Sequence, residues 1–223
     1  MPTTTRFRVA CMLAASWLIA AAGAPARAGS ATASKAVSAD AATTALLAEV
    51  RKSFTVHRAP IPPEIFRDMG DGDMADSGNI WVTVDVAAAT GSNLYYDPIT
   101  QDHGWVSQNK ARGQGNDGEE TGYHFVGAAD NGLLVVVAAW SGGGSGDFYT
   151  LHILDAVAAH GFDADGKPYA RIDLTVVRSV PLGDRWGGDI KIAKNTITIT
   201  KPGPGVGEDA GKRPTLTITA ARP

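Results

Sequence analysis

The amino-acid sequence predicts a mainly β protein, an antiparallel sandwich or barrel of about nine or ten strands behind one N-terminal helix. Three observations carry this expectation. Only one stretch, between Asp40 and Phe54, sets apolar residues at helical spacing. Beyond Pro60, Pro62 and Pro63, short runs of β-branched and aromatic residues recur between clusters of Gly, Asn and Asp. Residues 133–140 are almost continuously apolar, as in a strand buried on both faces. No repeat unit recurs along the chain, which argues against a propeller.

Residues 1–28 read as a cleaved export signal. Arg6 and Arg8 supply a positive start, residues 9–24 are apolar, and Ala26-Arg27-Ala28 offers the small residues a signal peptidase needs. The apolar run is shorter than the roughly 20 residues that span a bilayer, so no membrane span is expected after processing. Cys11 stands before the apolar run, whereas a lipid-modified cysteine would follow it. The localisation expected is periplasmic or extracellular. Removing residues 1–28 takes away Arg6, Arg8 and Arg27 and no acid, so 20 Lys+Arg against 23 Asp+Glu become 17 against 23. That acidic balance speaks against a nucleic-acid partner. The single cysteine leaves too, which excludes disulfides, thiol catalysis and thiolate metal sites.

Residues 29–39, poor in apolar bulk, read as a flexible lead-in to a single mainly β domain over 40–223. Leu46, Leu47, Val50 and Phe54 give one stripe on a helix over 40–56, with Asp40 as N-cap and the prolines as its stop. Strands are expected at 80–86, 94–96, 104–106, 133–140, 148–154, 170–180, 190–192, 197–199 and 216–219. Those at 133–140 and 148–154 would form the central hairpin. Asp163-Ala164-Asp165-Gly166-Lys167 is turn chemistry.

Candidate site residues fall into three groups. Asp68, Asp71, Asp73 and Asp76 could gather oxygen ligands around Ca²⁺, but Ala75 and Val82 stand where an EF-hand loop needs its third and twelfth positions, so a solvated turn is the simpler reading. Asp117, Glu119 and Glu120, in a Gly-rich stretch read as a loop, and Asp184 could supply acid and base to a hydrolase. Trp105, Tyr123, Trp140 and Trp186, with Arg185, could form a platform for a glycan or peptide, although most aromatics in strands are core. The five histidines show no metal-binding spacing, though His124 and His152, both on expected strands, could still meet in space. Gly143-Gly144-Ser145-Gly146-Asp147 lacks the last glycine of a nucleophile elbow, and neither a phosphate-loop lysine nor a helix follows. No cofactor is expected.

The succession Leu133-Leu134-Val135-Val136-Val137, Gly143-Gly144-Ser145-Gly146, Phe148-Tyr149, Asp165-Gly166-Lys167-Pro168 and Leu182-Gly183-Asp184-Arg185, closing on Ile190-Lys191-Ile192 and Asn195-Thr196-Ile197-Thr198-Ile199, resembles a group of uncharacterised secreted bacterial β proteins. The resemblance spans roughly residues 123–220 and implies an exported β module without an established activity. The chain departs from the group at Ala128-Ala129-Asp130-Asn131-Gly132, where an acidic stretch is common, and at Gly211-Lys212-Arg213-Pro214, where a cysteine pair is common. Together these readings favour a non-catalytic binding or structural module of the bacterial envelope. A hydrolase of envelope polymers is the alternative, and a Ca²⁺-dependent module the third.

Overall fold

The computed structural model describes residues 31–69, 83–90, 96–110, 118–202 and 214–222. Helix α1 (Ala31–Ser53) starts ahead of Asp40, so residues 31–39 are helical rather than a flexible lead-in, and Asp40 is not its cap. That stretch is rich in alanine, the strongest helix former, and helix formation there needs no apolar bulk. The helix also ends before residue 56. Phe54 takes φ 55°, the left-handed backbone that commonly terminates helices, while its N–H still reaches the Val50 carbonyl at 2.9 Å.

Strands β1 (Thr55–Val56) and β2 (Ala59–Pro60) then form a hairpin on the two-residue turn His57-Arg58. Both turn residues have positive φ, 52° and 66°, the backbone of a type I′ turn. Glu49 of α1 holds it. Its Oε1 accepts from the Arg58 N–H at 2.6 Å and from the Thr55 hydroxyl at 2.8 Å. The Arg58 bond leads the causes that hold the Glu49 carboxyl below the usual range. A short helix α2 (Ile65–Asp68) follows the prolines.

Seven strands form the main sheet: β3 (Thr83–Asp85), β4 (Thr100–Asp102), β5 (Trp105–Asn109), β6 (Glu119–Ala128), β7 (Leu134–Gly142), β8 (Phe148–Phe162) and β9 (Pro168–Asp184). All neighbours are antiparallel, in the order β3-β9-β8-β7-β6-β5-β4. Among the described residues the edges β3 and β4 do not pair with each other, so the sheet is open there and a sandwich fits. The expected central hairpin is β7 and β8. Val86 does not end a strand: it opens helix α3 (Val86–Ala89), because the Asp85 carboxylate caps the N–H groups of Ala87 and Ala88 at 3.0 and 3.2 Å. Tyr96 forms an isolated bridge to Lys110; residues 94 and 95 of the expected strand lie outside the described residues. A second antiparallel sheet holds β10 (Asp189–Ala193), β11 (Thr196–Thr200) and β12 (Thr215–Thr219).

The main sheet is the middle layer. Successive side chains of a strand point to opposite faces, and β7 is apolar on both. Leu134, Val136 and Ala138 join Tyr123, Leu154 and Leu174 beneath Leu46, Val50 and Phe54 of the N-terminal segment and Phe66 of α2. Leu133, Val135, Leu151 and Ile153 face the other way, onto Ile197, Ile199 and Ile218 of the small sheet. Each such side chain, fully buried, contributes roughly 1.5–3 kcal/mol. The small sheet is tied to the β6–β7 turn. The Asn131 N–H donates to the Asn195 side-chain oxygen at 2.9 Å, the Asn131 amide nitrogen to the Ala220 carbonyl at 2.8 Å, and the Asp130 N–H to the Lys194 carbonyl at 3.2 Å.

Candidate functional site

Beyond Val135 and Val137, the outward face of β7 continues as Ala139 and Ser141, and the cross-strand register shows what lies beside them. One row across the strands is Trp105, His124, Val137 and Leu151. The next is Ser107, Gly122, Ala139 and Tyr149, and a third sets Asn109 and Glu120 against Ser141. Of these, Ser107, Gly122, Ala139 and Ser141 floor a cleft of about 360 Å³, which Asp102, His103, Trp105, Glu120, Trp140, Asp147 and Tyr149 also line. Neighbouring strands lie about 4.8 Å apart, so the four-residue row spans roughly 14 Å, enough for a ligand of one or two sugar rings.

The walls are braced from several strands. The Trp105 ring meets Tyr149 edge-on, centroids 5.8 Å apart, and lies 5.7 Å from His124. His124 Nδ1–H in turn donates to the Gly104 carbonyl at 2.9 Å. Gly122 keeps the floor low: a Cβ there would stand 3.2 Å from both Ser107 Cβ and the Val106 carbonyl. At the outer end the Ser141 hydroxyl donates to the Gly146 carbonyl at 3.2 Å. The Asp147 N–H donates to Asp184 Oδ1 at 2.9 Å, and the Arg185 N–H to the Asp147 carbonyl at 2.8 Å. Burial, reinforced by the carboxylates of Asp147, Glu120 and Asp184, pushes the Tyr149 phenol up. It therefore stays protonated at neutral pH and keeps a hydroxyl to donate.

The expected platform residues separate. Trp105 is in the cleft. Trp140 also lines the cleft; its ring stacks on Phe148 at 6.1 Å and brings Nε1 to 3.4 Å from Glu119. Tyr123 is a core residue, packed edge-on against Phe54 at 5.2 Å, with its phenol pushed up by burial. Trp186 covers Gly188 and belongs to the core under the small sheet. Arg185 spends its guanidinium on the Ser145 carbonyl and on Asp184 at 3.7 Å, a local turn brace.

The expected catalytic carboxylates also part. Glu119 and Glu120 are not in a loop: they open β6, and adjacent strand residues face opposite sides. Glu119 is buried and pairs with Lys110 at 3.1 Å, whereas Glu120 lines the cleft. Asp184 serves the turn around Asp147. His124 and His152 lie on opposite faces, the latter buried against Phe66 with Nδ1 2.9 Å from the Ser179 hydroxyl. Asp117, Asp71, Asp73 and Asp76 lie outside the described residues, as do the Asp68 side chain and the export signal. Among the described residues no group of three or more His, Cys, Asp or Glu could hold a metal ion, and no helix is long and apolar enough to cross a membrane.

Ser107, Gly122, Ala139, Ser141, Asp102, His103 and Asp147 were not singled out by sequence reasoning. A signal for two of them exists: along one face of β7 the side chains shrink and turn polar, from Val135 and Val137 to Ala139 and Ser141. Among the described residues, the fold and site define an open β sandwich with one sheet face covered at one end by the small sheet and bearing the cleft at the other. Comparison with family models, curated proteins and solved structures finds no match to the chain.

Proposed function

We propose that the protein is an exported binding module of the bacterial envelope, non-catalytic, whose ligand is a flat polar molecule such as an envelope glycan seated on the Trp105 cleft. The observation that carries this reading is the half-covered face: an aromatic wall beside a low floor, edged by hydroxyls and carboxylates. A sugar ring presents an apolar face to an indole and hydroxyls to its rim, and the serines and Tyr149 hydroxyl supply matching partners.

A hydrolase is the second reading, because Glu120 and Asp147 share the cleft. A general acid at neutral pH needs a carboxyl raised by an enclosed apolar setting. Both carboxylates here are exposed on an open face, which favours binding over cleavage.

The test is calorimetric titration of the purified protein against peptidoglycan fragments and simple glycans, with a Ca²⁺ arm for the acidic stretch. Binding that disappears in Trp105→Ala supports the reading. Release of reducing ends from a bound glycan would move it to the hydrolase, and an unaltered affinity in Trp105→Ala overturns the cleft as the site.

A further inference from the structure

The cleft has a charge sign that a neutral glycan would not use. Asp102, Glu120 and Asp147 line it, and Asp184 adjoins it through the Asp147 N–H. The one base among the described lining residues, His103, stands 2.7 Å from Asp102. Among the described residues, Lys110 pairs with Glu119 on the opposite face, and Arg185 with Asp184 and the Ser145 carbonyl. Glu120 and Asp147 line the same cleft, and both carboxylates act on the Tyr149 phenol. Glu120 pairs directly across from Ser141, and Asp147 follows Gly146, whose carbonyl accepts the Ser141 hydroxyl.

Carboxylates can only accept hydrogen bonds, and an ammonium can only donate them. The faces of the neighbouring Trp105 and Tyr149 rings attract cations as well. The floor, with Gly122 and Ala139 at its centre, is broad and flat where a lysine side chain would call for a narrow slot.

Resting on the reading of this cleft as a binding site, we propose that its ligand is a cationic glycan bearing free amino groups. One sugar ring lies against Trp105 over the Gly122–Ala139 floor, and its ammonium is held between Glu120 and Asp147.

The test titrates the full protein at pH 6 with three probes: a glucosamine oligomer, its fully N-acetylated counterpart, and tri-lysine. Intrinsic tryptophan fluorescence and calorimetry read the binding. The glucosamine oligomer should bind at least about tenfold more tightly than the acetylated one, the scale of a lost charge-assisted hydrogen bond, and should weaken as salt rises. Glu120→Gln and Asp147→Asn should each lose about tenfold for the amino form and clearly less for the acetylated form, so that the preference between the two oligomers narrows. Both positions are exposed, so the variants keep the fold, which circular dichroism verifies.

Equal binding of both oligomers, lost in Trp105→Ala but indifferent to the two carboxamide variants, overturns the cation proposal and leaves the cleft reading standing. A preference for tri-lysine replaces the sugar by a basic peptide. Failure of all three probes overturns the cation proposal alone if a neutral glycan binds in the wider titration, and both readings if none does.

Discussion

Two ends of one sheet face, joined by β7, have different fates. At one end Leu133, Val135, Leu151 and Ile153 lie sealed under Ile197, Ile199 and Ile218. At the other, Ser107, Gly122, Ala139 and Ser141 occupy equivalent outward positions and floor an open cleft. Strand geometry is common to both, so side-chain size and polarity decide which end is covered. Large branched residues need a second layer to leave water, whereas Gly, Ala and Ser gain little from one.

The largest effect is expected where this contrast is broken at its covered end. Ile153→Ala removes a fully buried side chain and should cost about 2–5 kcal/mol by urea unfolding, with ligand affinity of the folded fraction unchanged. A loss below 1 kcal/mol would mean that the two layers are not packed as described.

The helix side supplies a pH-dependent measure. Burial drops the His152 pKa from 6.5 to about 4. The folded state therefore resists a proton that the unfolded chain accepts. Stability should be full above pH 6.5 and fall by about 3 kcal/mol as the pH descends to 4. His152→Gln should flatten that part of the profile, and an unchanged slope in the variant would assign the acid loss to other groups.

The smallest change in stability, within about 0.5 kcal/mol, is expected from Ala139→Leu, which gives the open end a large side chain. Its readout is affinity: glycan binding should disappear while the melting temperature hardly moves. Retained binding would place the ligand away from this floor.

Much of the fold was legible because its signals are local. The two-faced apolar run at β7, the Ile-x-Ile pairs of β10 and β11, and the Asp163–Lys167 turn each carry their pattern within a few residues. In that turn Asp163 Oδ1 accepts from the Asp165 and Lys167 N–H groups. Strand β6 showed in the sequence only at His124, because Gly118, Glu119, Glu120 and Gly122 have turn composition. What makes them strand is pairing on both sides, with Lys110 and Asn109 on one and with β7 on the other. The site was less legible than the fold. Trp105 announces itself, but Gly122 and Ala139 matter only because the register sets them side by side, and spacing along the chain does not encode it.

The order of elements along the chain bears on how the protein is made. Every strand of the main sheet precedes β10, so as the chain emerges N-terminus first into the compartment where it folds, the sheet and its helix can form while their other apolar side still has no cover. Until β10–β12 arrive, the nascent molecule carries a sticky slab of Leu133, Val135, Leu151 and Ile153, the kind of surface that draws holdase chaperones and seeds aggregation. Protein shortened at its C-terminus should therefore be lost to inclusion bodies before any deficit in ligand recognition could be measured.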